Sequence, residues 1–159
     1  MLIRFTLKNF LSFKNKVSFS MIPGANRNRK EHKNAKVKGV STLKTSVIYG
    51  ANASGKSNLV KAIAFGRFMV LRGFPSDSYI DYSPYRLDTE SLKGDSMLEY
   101  EIQAGGKNYA YGFVFNKKDI VGEWLYEITT SAQTVVFTRD NKNREYVFSG
   151  LFNKNKISR

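Results

Sequence analysis

The chain has 159 residues, no cysteine, and 26 lysines and arginines against 13 aspartates and glutamates, a formal charge of +13. That length suits one domain with a sizeable core. Without cysteine there are no disulfides, thiolate metal sites or cysteine nucleophiles. The absence of an apolar run of about 18 residues or a signal-peptide h-region argues against a membrane partner and makes a cytoplasmic location the expectation. The basic balance favours polyanions such as nucleotides, DNA or RNA, or an acidic partner, although a solvated lysine-rich surface explains it equally well.

Residues 2–7, "LIRFTL", alternate and predict a strand with Ile3, Phe5 and Leu7 on one face. "VSFSM", 17–21, predicts its hairpin partner across a short connector. The stretch 23–39 opens with Pro-Gly and lacks a period, which predicts a mobile surface loop. It carries Arg27, Arg29, Lys30, Lys33, Lys36 and Lys38 against Glu31, a cluster suited to phosphates of DNA or RNA or simply to solvent. The single histidine, His32, has no catalytic or metal partner nearby in sequence.

"TSVIY", 45–49, is a β-branched run that predicts a short buried strand. A glycine-rich loop follows, and then a helix whose apolar residues Leu59, Val60, Ile63, Ala64, Phe68 and Leu71 recur at helical spacing before Gly73. Residues 74–97 read as an irregular connection. Beyond them the period is two: 98–103, 108–116, 119–130, 134–139 and 144–149 all predict strands, separated by hairpin-turn chemistry. Tyr109, Tyr111, Phe113 and Phe115 share one face, and Trp124, Tyr126 and Ile128 share another. Core and cross-strand packing is the preferred role for both sets, ahead of base stacking.

Gly50 to Ser57, "GANASGKS", fits the phosphate-loop pattern G-x-x-x-x-G-K-[ST]. Gly50 permits the sharp exit from a strand, and Gly55 lets the backbone approach phosphate oxygens without a Cβ in the way. The loop amides and the helix N-terminus face the anion. Lys56 reaches the β- and γ-phosphates, and Ser57 offers a hydroxyl to Mg²⁺. A chance match in a chain of this length has odds of roughly half a per cent. A guanine-type reading founders on "NKKD", 116–119, which lies between two alternating strands and reads as a hairpin turn.

These segments resemble the N-terminal part of bacterial AAA-family ATP-binding proteins of the ABC-type RecF/SMC/OLD branch, often associated with phage defence. "IRFTLKNFLSFKNKVSFSM" is similar to that family's opening hairpin, "VIYGANASGKSNLVKAI" to its phosphate loop, "YSPYRLD" to the segment after the first helix, and "YAYGFVFNKKDIVGEWLYEI" to its antiparallel lobe. The resemblance implies an α/β fold: a P-loop NTPase half-domain (strand, P-loop, helix) with an N-terminal hairpin and an antiparallel β lobe. It implies one lobe over 1–159, with a P-loop core at 1–73, a connection at 74–97 and the β lobe at 98–150. It places Gly50, Asn52, Ser54, Gly55, Lys56, Ser57 and Asn58 around ATP and Mg²⁺, with Ser57 on the metal, and sets Lys8, Asn9 and Phe10 near the base or ribose. Ala53 departs from the family's frequent glycine, and its methyl is tolerable if its φ is negative.

No Walker B strand ending in Asp-Glu is found ("VVFTRD" is interrupted), no signature sequence ("FSGLF" is a poor imitation), and no assignable Q-loop or switch histidine. The resemblance therefore implies a fragment of a longer ATPase, inactive in turnover by itself. Its partners would be the remainder of the head, a second head in a homodimer, DNA or RNA, and an effector nuclease. The alternative from another class is a basic nucleic-acid-binding module that does not use ATP.

Overall fold

A computed structural model describes residues 1–25, 29–73 and 79–149. Seven strands form one antiparallel sheet in the order β2-β1-β3-β4-β5-β6-β7: β1 Leu2–Lys8, β2 Val17–Ser20, β3 Ser96–Ala104, β4 Lys107–Phe115, β5 Ile120–Ile128, β6 Gln133–Asp140 and β7 Glu145–Phe148. The N-terminal hairpin and the five strands of period two are thus one sheet, because β1 pairs with β2 on one side and with β3 on the other. The fold is mixed α/β, with a strand-dominated sheet and, among the described residues, two α-helices, α1 Lys56–Arg72 and the single-turn α2 Thr89–Lys93.

Alternation decides which face of the sheet is buried. Ile3, Phe5 and Leu7 are almost fully buried, and Leu98, Phe113 and Phe115 continue the same face across β3 and β4. Phe10, Phe65, Tyr82 and Phe115 close one end as an aromatic cluster, with Tyr82 and Phe115 centroids 4.8 Å apart. Phe113 and Phe115 are therefore core, as their alternation predicts. On the opposite face Trp124 crosses Gly112, where a β-carbon would collide with the indole, and donates to Glu99 Oε2 at 2.8 Å.

Helix α1 lies on the buried face, and its contact stripe differs from the expected one. Leu59, Ala62, Gly66 and Met69 are buried, with Ile63 packed at the margin, whereas Val60, Phe68 and Leu71 are 59%, 52% and 64% exposed. The helix is apolar around more than one face, so periodicity could not choose between the stripes. Tyr100 and Leu98 make the choice, because they approach so closely that only a small residue fits opposite them. A β-carbon on Gly66 would collide with the Tyr100 hydroxyl, which donates to Ile63 O at 2.7 Å. The helix ends as expected at Gly73, which takes a φ of +66°.

Three further expectations are corrected. Residues 45–49 form no strand: Val47, Ile48 and Tyr49 are 76%, 41% and 89% exposed, and no described backbone pairs with them. A β-branched run needs a neighbouring strand to satisfy its amides and carbonyls, and every strand of the described sheet lies elsewhere. The described part of the predicted loop, 29–39, is a folded strap instead of a featureless loop, with a short 3₁₀ turn at Lys30–His32 and backbone bridges to residues 40–43. Arg27 lies outside the described residues. Finally, the connection 74–97, of which 74–78 lie outside the described residues, contains α2 and the first residues of β3.

Candidate nucleotide site

The glycine loop leads from Tyr49 into α1 with no side-chain cap on the helix. Gly55 is the N-cap residue at φ +93° and ψ 1°, a left-handed conformation that glycine adopts without penalty. The first turn holds no acidic residue. Its free amides and the positive end of the helix dipole therefore meet no competing carboxylate from their own element.

Lys56 closes the loop on itself. Its Nζ donates to Gly50 O at 2.7 Å and Ala51 O at 2.6 Å, with Ser54 Oγ at 3.4 Å. Ser54 in turn sits over Gly50, where a β-carbon would stand 3.1 Å from its hydroxyl oxygen. The ammonium thus rests on two carbonyls at the mouth of the loop, able to exchange them for phosphate oxygens of full negative charge. Ser57 is exposed in the first turn, its hydroxyl uncommitted to any described group.

The turn between β1 and β2 provides the wall beside the loop. Ser12 Oγ accepts from Asn58 Nδ2 at 3.0 Å and stands 3.0 Å from the place of a Gly55 β-carbon, with the Phe13 ring next to it. Gly50, Ser54, Gly55, Lys56 and Asn58 are therefore gathered around one loop, while Asn52 is exposed and forms no hydrogen bond among the described residues.

Asn9 and Phe10 do not flank this site. Asn9 is buried, donating through Nδ2 to Ser91 O at 2.7 Å and Gly94 O at 3.0 Å and accepting from Tyr85 N at 3.1 Å. Phe10 belongs to the aromatic cluster. The family resemblance sets them near the base or ribose; the residues beside the loop are Ser12 and Phe13, which carry no local sequence signal because their contact with the loop spans more than 40 residues. Lys8 lines a groove with Lys14, Asp88 and Asp95 at the same end of the sheet.

Ala53 is the second correction at the loop. Its φ is +61°, so the condition for an unstrained methyl, a negative φ, is not met. A β-carbon in that region crowds the carbonyl oxygen, at a cost of roughly 1–2 kcal/mol. The glycine frequent at this position in the resembled family would avoid it.

Among the described residues there is no group of three histidines or carboxylates able to hold a metal. The Ser57 hydroxyl is a hard oxygen of the kind that Mg²⁺ takes, and it would offer one of the six such a metal needs. The loop thus fits the phosphates of a nucleotide, and a metal there would take most of its oxygens from phosphate and water.

"NKKD" is a hairpin turn. Asn116 Oδ1 accepts from Lys118 N and Asp119 N at 2.9 and 3.0 Å, and Asn116 N donates to Asp119 O. With its side-chain carbonyl held by the turn and its side-chain amide donating to Asp95 Oδ1 at 3.2 Å, Asn116 has no free edge to read a guanine.

A glycine loop with a left-handed cap, a loop-folded lysine and an uncapped helix start defines a phosphate-binding protein of the nucleotide-binding kind. Residues 46–155 match the family described as "AAA domain, putative AbiEii toxin, Type IV TA system". The match spans more than half of the chain, and the chain belongs to this family of AAA, ATPase-like nucleotide-binding domains. No curated protein matches it. No described helix is long and apolar enough to cross a membrane.

Proposed function

We propose that the chain binds ATP with Mg²⁺ through Gly50, Asn52, Ser54, Gly55, Lys56, Ser57 and Asn58, as the Walker A part of an ABC-type head of the RecF/SMC/OLD kind. The observation that carries this reading is the Lys56 ammonium held on Gly50 O and Ala51 O beside a left-handed Gly55. In this reading the loop and first-turn amides bind the phosphates, Lys56 leaves its carbonyls to neutralise the β- and γ-phosphates, and Ser57 holds one face of the metal. When bound, Mg²⁺ supplies charge neutralisation across those phosphates.

Turnover requires more than these residues. Among the described residues no carboxylate forms a hydrogen bond or ion pair with the loop side chains, and the β-branched run 45–49 lies unpaired. The second apolar stripe of α1, with Val60 and Leu71 exposed, borders a face that further strands would cover. We infer that the remainder of the head and a second head in a homodimer complete the site, and that hydrolysis governs head association and an attached nucleic-acid or nuclease activity of the phage-defence kind. The proposed setting is the cytoplasm.

Competition separates phosphate-chain recognition from base recognition. ATP and ADP should displace a fluorescent ATP analogue at similar concentrations, and AMP should displace it far less well. Equal displacement by AMP would place the binding energy on the nucleoside and overturn the reading. Turnover by the chain alone, at a rate of roughly 1 per second or more, would refute the need for a second half.

A further inference from the structure

The strap 29–44 lies at the end of the sheet opposite the glycine loop. It touches the start of β4 and the end of β3, whereas the loop abuts the turn that follows β1. The length of β1, about 20 Å at some 3.4 Å per residue, separates the two. We propose that this strap, with the turn 129–132, is a second polyanion site that holds the sugar-phosphate backbone of a nucleic acid.

The strap is anchored by hydrogen bonds from uncharged groups. Asn34 Nδ2 donates to Thr42 Oγ1 at 3.0 Å, Ser41 Oγ donates to Asn34 O at 2.8 Å, and Leu43 N donates to Met21 O at 2.7 Å. From the sheet, Asn108 Nδ2 donates to Val37 O at 2.9 Å and Gln103 Nε2 to Val40 O at 3.0 Å. The side chains of Arg29, Lys30, Lys36, Lys38 and Lys44 take no part in these hydrogen bonds. Arg29, Lys30, Lys36, Lys38 and Lys44 are exposed and form no ion pair among the described residues, and the strap's one acid, Glu31, lies against His32.

The tip of the strap sharpens the point. Val37 and Val40 exchange backbone hydrogen bonds across Lys38 and Gly39, which both take positive φ, at +47° and +85°. A two-residue turn of this geometry selects Asn-Gly, so a lysine at its first position sacrifices backbone preference to present a cation. Gly39 packs on Thr130, where a β-carbon would stand 2.9 Å from Cγ2, which fixes the tip against the β5–β6 turn.

Between strap and turn lies a cleft of about 810 Å³ that includes Lys33, Lys36, Ser41, Thr130 and Ser131. Arg4, at its floor, is already neutralised by Glu101 at 3.0 Å. Lysines and hydroxyls on a preformed surface are the groups that contact phosphates and sugars without reading bases. A membrane surface fits less well, because Ile22 is the one exposed large apolar side chain among the described residues lining the cleft.

The inference does not rest on the nucleotide reading, and its test is separate. Labelled DNA and RNA duplexes of one length are titrated with the full chain across a salt series. The variants are Lys36→Gln/Lys38→Asn, in which asparagine keeps the turn, and Lys117→Gln/Lys118→Gln, which removes equal charge from the β4–β5 turn. The first pair should flatten the log–log salt slope by about 1.8 and weaken binding about sixtyfold at about 0.1 M salt. The second pair should change affinity less than threefold. Tighter binding of one duplex assigns the source as DNA or RNA. Equal losses from both pairs, no binding to either duplex, equally tight binding of polyglutamate, or loss of binding in Lys56→Ala would each overturn the assignment.

Discussion

The Ser12 hydroxyl oxygen lies 3.0 Å from where a β-carbon on Gly55 would stand, and the same oxygen accepts from Asn58 Nδ2 at 3.0 Å. Gly55 is thus constrained twice, by its φ of +93° and by the hairpin turn packed on it. Gly55→Ala should destabilise the fold by about 1–2 kcal/mol and weaken ATP at least tenfold. Adding Ser12→Ala relieves the crowding but leaves the φ strain, so the double variant should recover only part of the stability. Denaturant melts and nucleotide titrations read both quantities, and unchanged binding in Gly55→Ala would contradict the constraint.

Ala53 offers the opposite experiment. Glycine at φ +61° removes the left-handed strain but loosens the unfolded chain by roughly 0.4–1 kcal/mol. Ala53→Gly should therefore come out neutral to about 1 kcal/mol more stable, unlike most glycine substitutions. A loss of more than about 1 kcal/mol in a urea melt would show that the methyl makes a favourable contact.

The seam between α1 and the sheet rests on the Gly66–Tyr100 fit. Gly66→Ala gains helix propensity but forces the Tyr100 ring off Ile63 O, and overpacking of this kind costs about 1–3 kcal/mol. Tyr100→Phe removes only the hydroxyl and should cost about 0.5–1.5 kcal/mol. In the Tyr100→Phe background, Gly66→Ala should cost less than it does alone. Strict additivity of the two changes in thermal or chemical melts would contradict a shared contact.

How much of this was legible in the sequence depends on the range of the interaction. The seven strands and the glycine loop announce themselves by period and spacing, and Gly73 ends α1 where glycine should. The buried stripe of α1 did not, because Val60, Phe68 and Leu71 are as apolar as Leu59 and Met69, and only the approach of Tyr100 from 34 residues beyond Gly66 selects between them. The run 45–49 looks like a strand because its residue types are right, yet a strand also needs a neighbour. Asn9 looked like a ligand group and is a buried clamp, since its partners at 85–94 are invisible to local reading. The strap 29–44 hid its order behind lysines, its anchors being the inconspicuous Asn34, Thr42, Gln103 and Asn108.

Asp88 gives the fold an acid-sensitive joint. Hydrogen bonds from Ser91, with Lys14 at 3.3 Å, hold its carboxyl down at about 2. A depressed carboxyl contributes stability that is complete above its unfolded value, near 3.9, and is lost as pH falls through about 2. The wild type should therefore exceed Asp88→Asn in stability at pH about 5 and lose that advantage between pH about 4 and 2. A gap that stayed constant across this range would contradict the coupling of α2 to the β1–β2 turn.

The most direct measurement is a calorimetric titration of MgATP into the chain and into Lys56→Ala, with melts confirming that both are folded. Saturable binding in the parent, weakened at least tenfold in the variant, is the result predicted from the lysine on Gly50 O and Ala51 O. Equal affinity in the two proteins, or no binding in either, would contradict a nucleotide site at this loop.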